Sequence, residues 1–135
     1  MGGRIGYPFY SVYNGTKWAV EGFSESLQYE LRPFNIRIKV IEPGFIETDF
    51  YGRSTDTFQD SGTGMYESYL QSSRKKVENM KASKPTVVAK VIFEAANDKS
   101  WKLRYTAGSY ARLISLVRKL APDQLFFSIM RRFTF

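Results

Sequence analysis

Between Val12 and Arg32 the apolar residues Val20, Phe23, Leu27 and Leu31 recur at helical spacing, one stripe of an amphipathic helix. Pro33 ends it, because the residue before a proline is turned away from helical backbone. The period then changes. Ile36, Ile38 and Val40 alternate with Arg37 and Lys39, and Ile41 extends the run, which predicts a strand over Ile36–Glu42 closed by Pro43-Gly44. Residues 49–64 are rich in Ser, Thr, Gly and Asp without periodicity and read as a loop. Tyr66–Lys81 reads as a helix carrying Tyr69, Leu70, Val77 and Met80. Pro85 suits the first turn of a further helix to about Asn97, with Val87, Val88, Val91, Ile92 and Ala95 facing inward. Leu103–Ala107 is a short strand ending at Gly108. Two amphipathic segments follow, one with Tyr110, Leu113, Ile114 and Val117, the other with Leu125, Phe126, Ile129 and Met130, broken at Pro122. Met1–Phe9 is glycine-rich and reads as a loop.

This order of elements is the frame for one chemically suggestive pair. Tyr13 and Lys17 are four positions apart at the start of the first helix, so their side chains lie one above the other. A free tyrosine has a pKa near ~10 and is a poor proton donor or acceptor at neutral pH. A neighbouring cation favours the phenolate, which predicts that Lys17 lowers the Tyr13 pKa and makes it a usable general acid or base. Many helices carry such a pair on a solvated face, so the spacing alone does not decide the matter. The strand, Pro-Gly and loop that follow are a second pointer, because open α/β folds place ligands beyond the carboxyl ends of their strands.

Composition narrows the chemistry. The 135 residues contain neither cysteine nor histidine, which excludes disulfides, Cys/His zinc sites and nucleophilic triads that use histidine. Acid–base work falls to Tyr, Lys, Asp or Glu, and no metal site is expected. Twenty basic residues against 13 acidic ones give a net charge of +7, which suits anionic cofactors as well as anionic surfaces. No recognised nucleic-acid motif is present. No apolar run is long enough to span a bilayer, so a cytoplasmic chain is expected, with peripheral membrane contact open to the basic C-terminal segment.

Taken together, Tyr13, Lys17, the helix to Arg32, the strand Ile36–Glu42, Pro43-Gly44 and Thr48 resemble the short-chain dehydrogenase/reductase family, closely from Tyr10 to Thr48 and loosely beyond. The resemblance implies an α/β fold, the C-terminal part of a Rossmann-like doubly wound parallel sheet. Residues 1–135 would then be a single partial domain, with a substrate-loop insertion at 49–81 and a C-terminal helical segment at 109–135. It implies an oxidoreductase that uses NAD or NADP on an alcohol or carbonyl compound. Tyr13 and Lys17 would be catalytic, and Tyr13, Lys17, Pro43, Gly44, Phe45, Ile46 and Thr48 would hold the cofactor. Phe45, Phe50 and Tyr51 would meet the substrate, and the aromatics of the insertion suit an apolar one. The family's tyrosine helix often forms a dimer contact, so 12–32 is a candidate homodimer face. No Gly-x-x-x-Gly-x-Gly or Gly-x-Gly-x-x-Gly occurs, and the cofactor-binding half of the family is absent, so a form inactive by itself is expected. The alternative is a non-catalytic interaction module or pseudo-enzyme that keeps the helix and its packing surface.

Overall fold

A computed structural model describes residues 1–49, 64 and 66–134. The elements run α1 (Ser11–Leu31), a short 3-10 turn (Arg32–Phe34), β1 (Val40–Pro43), α2 (Glu67–Glu78), α3 (Pro85–Asn97), β2 (Arg104–Ala107), α4 (Ala111–Leu120) and α5 (Asp123–Thr134). β1 and β2 pair in parallel, Val40 with Arg104 through Pro43 with Ala107. Parallel strands need a crossover, and α2 and α3 lie within it. The fold is therefore α/β, of the Rossmann-like kind.

The proline punctuation holds. Pro33 lies in the 3-10 turn that closes α1, Pro85 opens α3, and Pro122 separates α4 from α5. The first strand is shorter than its sequence pattern predicts, starting at Val40 rather than Ile36. Its partner begins only at Arg104, so Ile36–Lys39 lie beyond the ladder. Lys39 instead reaches across, donating from Nζ to the carbonyls of Ser100 and Lys102. The second helix also ends early, at Glu78 rather than Lys81, and the chain just beyond it is drawn out to pair Ser83 with Ile46.

Burial departs further from expectation. On α1 half of the stripe stays in solvent, with Phe23 68% exposed and Val20 also exposed while Leu27 and Leu31 are half-buried, and the buried residue of that helix is Asn14. On α3 Ala95 is buried, while Val87 and Ile92 are exposed. Two four-residue strands offer each helix little surface to cover. Apart from Ile5 in the N-terminal loop, the other buried apolar residues cluster around β2 and the elements that follow it: Leu103, Tyr105, Ala107, Ala111 and Phe126, joined by Phe45 from the loop after β1. Among the described residues no helix is long and apolar enough to cross a membrane.

Candidate active site

Tyr13 and Lys17 sit in the first turns of α1. The glycine-rich loop before the helix presses against them. A Cβ on Gly3 would lie 2.7 Å from the Lys17 carbonyl oxygen, closer than any side chain tolerates. Asn14 ties this loop to the helix by donating from Nδ2 to the Tyr7 carbonyl at 3.2 Å. Its Oδ1 is buried without a hydrogen-bond partner among the described residues.

The segment after β1 is held from two sides. The Gly44 N–H donates to Ala107 at 2.7 Å, carrying the parallel ladder one residue past Pro43. A Cβ on Gly44 would meet the Ser109 carbonyl oxygen at 2.0 Å, so the two backbones can approach only because this residue is glycine. Ser83 N–H donates to Phe45 and Glu47 N–H donates to Ser83, each at 2.9 Å. Ser83 is in turn fastened to Ser109: the two hydroxyls are 2.7 Å apart, and the Ser109 N–H donates to Ser83 Oγ at 2.8 Å. In such a bridge the residue between the two bonds, Ile46, turns its own N–H and C=O to the opposite side. Phe45 is buried edge-on between Tyr7 and Tyr110, with ring centroids 6.3 and 6.0 Å away.

Tyr13, Lys17, Pro43, Gly44, Phe45, Ile46 and Thr48 all line one cavity of about 690 Å³. Phe50 and Tyr51 lie outside the described residues. Glu21 and Glu42 line the same cavity, and neither stood out in the sequence. Glu42 alternates with Ile41 on β1, and burial pushes its carboxyl above the ordinary range, helped by the nearby Glu21 and opposed by Arg4, the terminal ammonium and Arg104. Ser83 and Ser109, which fix the loop, were equally silent, because two serines 26 positions apart form no local pattern.

One expectation about Tyr13 is reversed. Burial raises its pKa above the ordinary value instead of Lys17 lowering it. The ammonium lies over the ring face, 5.5 Å from the centroid, where it meets the π-cloud. A phenol in this state carries its proton at neutral pH and is a weaker acid than free tyrosine.

With this geometry in place, relatedness is informative. A short chain dehydrogenase profile matches residues 1–59. An uncharacterized oxidoreductase of Schizosaccharomyces pombe is 33% identical over 98% of this chain and 56% of its own length. Another, from Bacillus subtilis, is 34% identical over 98% of this chain and 49% of its own. The chain belongs to the short-chain dehydrogenase/reductase family. Retinol dehydrogenase 8 of Bos taurus is a further relative, 39% identical over 84% of this chain and 39% of its own length. The chain spans about half the length of the curated relatives it matches.

Proposed function

We propose that these residues form the proton-transfer and nicotinamide-binding side of an NAD(P)-dependent short-chain dehydrogenase, acting on an apolar alcohol or carbonyl compound. The observation that carries the reading is the single cavity bringing Tyr13 and Lys17 against Pro43–Ile46 and Thr48. The donor set fits a nicotinamide dinucleotide. The Ile46 N–H and C=O, turned away from Ser83, complement a carboxamide, the Thr48 hydroxyl is a further donor, and the Lys17 ammonium suits ribose hydroxyls. When bound, that cofactor supplies or accepts the hydride.

The protein's own work is positional and protonic. Tyr13, protonated at neutral pH, donates its proton to a carbonyl oxygen held in the cavity; in the reverse direction it takes the proton of the alcohol. Lys17, over the ring face, helps to hold the phenol in place. Phe45, Val88 and Ile92 give the cavity apolar lining that suits an apolar substrate. An apolar substrate also agrees with the name of the retinol dehydrogenase relative. NAD and NADP are both compatible with these residues. The chain has no glycine-rich phosphate-gripping turn, so turnover is expected only when a partner segment supplies one.

The test joins these 135 residues to the N-terminal half of the Bacillus subtilis relative and follows oxidation of long-chain alcohols by cofactor absorbance. Tyr13→Phe is expected to abolish turnover while NAD(P)H binding, read by fluorescence, persists. Retained turnover would sink the acid–base role, and binding by the 135 residues of no nicotinamide probe in either form would favour the interaction-module reading.

A further inference from the structure

Five of the 20 basic residues but one of the 13 acidic ones fall in 109–135, giving that stretch +4 of the net charge of +7. Arg118 is neutralised internally by Asp123, at 2.5 Å from Nη1 to Oδ1. Among the described residues no carboxylate forms an ion pair with Arg112, Lys119, Arg131 or Arg132. Burial along α4 is sharply divided. Ala111 is fully buried and Ile114 and Val117 are partly covered, whereas Leu113, Leu116 and Leu120 are exposed. At helical spacing these three leucines share one narrow arc, and Arg112 and Lys119, also exposed, border it on one side. On α5 the inner face carries Phe126, Ile129 and Met130, and the outer face carries Arg131 and Arg132.

We infer that the exposed face of α4, flanked by the cations of α4 and α5, docks on an anionic lipid bilayer, the leucines entering the headgroup–acyl boundary. Apolar residues on one face with bordering cations are the arrangement of an interfacial helix. Four cations without counter-carboxylates disfavour a symmetric second copy, which would set like charges against each other. A nucleic acid would satisfy the cations but leave the leucines in water. The surface also lies beside the proposed substrate side of the molecule, since α5 packs against both α4 and α2.

The experiment floats the 135-residue chain with vesicles of phosphatidylcholine alone or with added phosphatidylserine. The expected result is binding to the phosphatidylserine vesicles only, falling as salt rises. Arg131→Gln with Arg132→Gln is expected to weaken binding roughly twenty-five-fold, at about fivefold for each cation near the surface. Leu116→Glu, at an exposed position that leaves the fold intact by circular dichroism, is expected to abolish it. Absence of binding by the unmodified chain overturns the inference, as does binding that survives Leu116→Glu. Loss on the arginine changes alone, with Leu116→Glu indifferent, means a purely electrostatic contact and also overturns it. A dimer by size exclusion that Leu116→Glu dissociates, without vesicle binding, assigns the face to a second copy instead.

Discussion

Replacing Arg104 with Met withdraws one guanidinium from three carboxylates. Nε lies 3.0 Å from Glu21 Oε2 and 3.7 Å from Glu42 Oε1, and Nη2 lies 2.5 Å from Glu25 Oε2. The partners differ in how readily water can replace the arginine. Glu25 is half exposed and rehydrates, whereas the Glu21 and Glu42 side chains are 12% and 4% exposed. Breaking a fully buried pair by removing one member costs about 3–5 kcal/mol, and an exposed pair about 0–1 kcal/mol. Arg104 itself is 28% exposed, so the two protected carboxylates together place the loss at about 2–3 kcal/mol near neutral pH. Methionine keeps most of the apolar stem, which confines the change to charge.

The pH dependence separates this cause from simple loss of packing. Burial already raises the Glu42 pKa above its ordinary 4.5, and Arg104 is among the charges that oppose the rise. Without Arg104 it rises further. A carboxyl whose folded pKa is raised imposes a penalty that is absent below the unfolded value, grows as pH climbs towards the folded value, and is constant above it. Glu25 acts in the same sense: its hydrogen bond to Arg104 holds its pKa down, so its contribution is present above the ordinary carboxylate range and lost as pH falls through the folded value. The Arg104→Met loss should therefore be larger at about pH 7.5 than at about pH 5. Urea unfolding followed by circular dichroism at both values measures it. An equal loss at the two pH values, or a loss below about 1 kcal/mol at the higher one, would refute the electrostatic account.

Two further substitutions probe the frame of the site. Gly44→Ala drives a methyl group into the Ser109 carbonyl, and a loss of at least about 2 kcal/mol is expected. Amide exchange of the Gly44 N–H, bonded to Ala107, should accelerate with it; an unchanged melting temperature would contradict the close approach. Tyr105→Phe removes the hydroxyl that donates to Asp98 Oδ2 at 2.5 Å and accepts from Lys39 Nζ at 3.1 Å. That hydrogen bond is the largest cause holding the Asp98 carboxyl far below its ordinary 3.8. Asp98 stabilises the fold above that ordinary value and ceases to as pH falls through its lower folded one. In Tyr105→Phe the NMR titration of Asp98 should move up towards 3.8, and no movement would remove Tyr105 from the account.

What the sequence discloses about this chain depends on how local each cause is. Proline acts on its immediate neighbours, so the ends of α1 and α4 and the start of α3 were readable from Pro33, Pro122 and Pro85. A strand ends where its partner does, which is why Ile36–Lys39, β-rich in composition, lie outside the ladder. The convergence of Tyr13, Lys17, Pro43–Ile46 and Thr48 on one cavity was legible through a familiar order of motifs. The direction of the Tyr13 pKa was not. Spacing puts Lys17 on the right face of the helix, but burial of the phenol depends on the loop at Gly2 and Gly3, whose approach no periodicity records. The helix stripes overstate burial for a related reason: periodicity reports which face is apolar, and not how much sheet is present to cover it.

The clamp on the Pro43–Thr48 loop also has a temporal side. Tyr13 and Lys17 are organised by α1, whose hydrogen bonds join near neighbours and form fast. The loop they face acquires its shape only through Ser83, Ser109 and the pairing of Val40 with Arg104, 64 positions further along. Closing so long a stretch precedes any reward from its contacts, which makes it a slow event in folding. On a ribosome, Tyr13 and Lys17 would thus be in place on their helix well before the wall opposite them, and the cavity would come into being only once the chain beyond Ser109 had emerged.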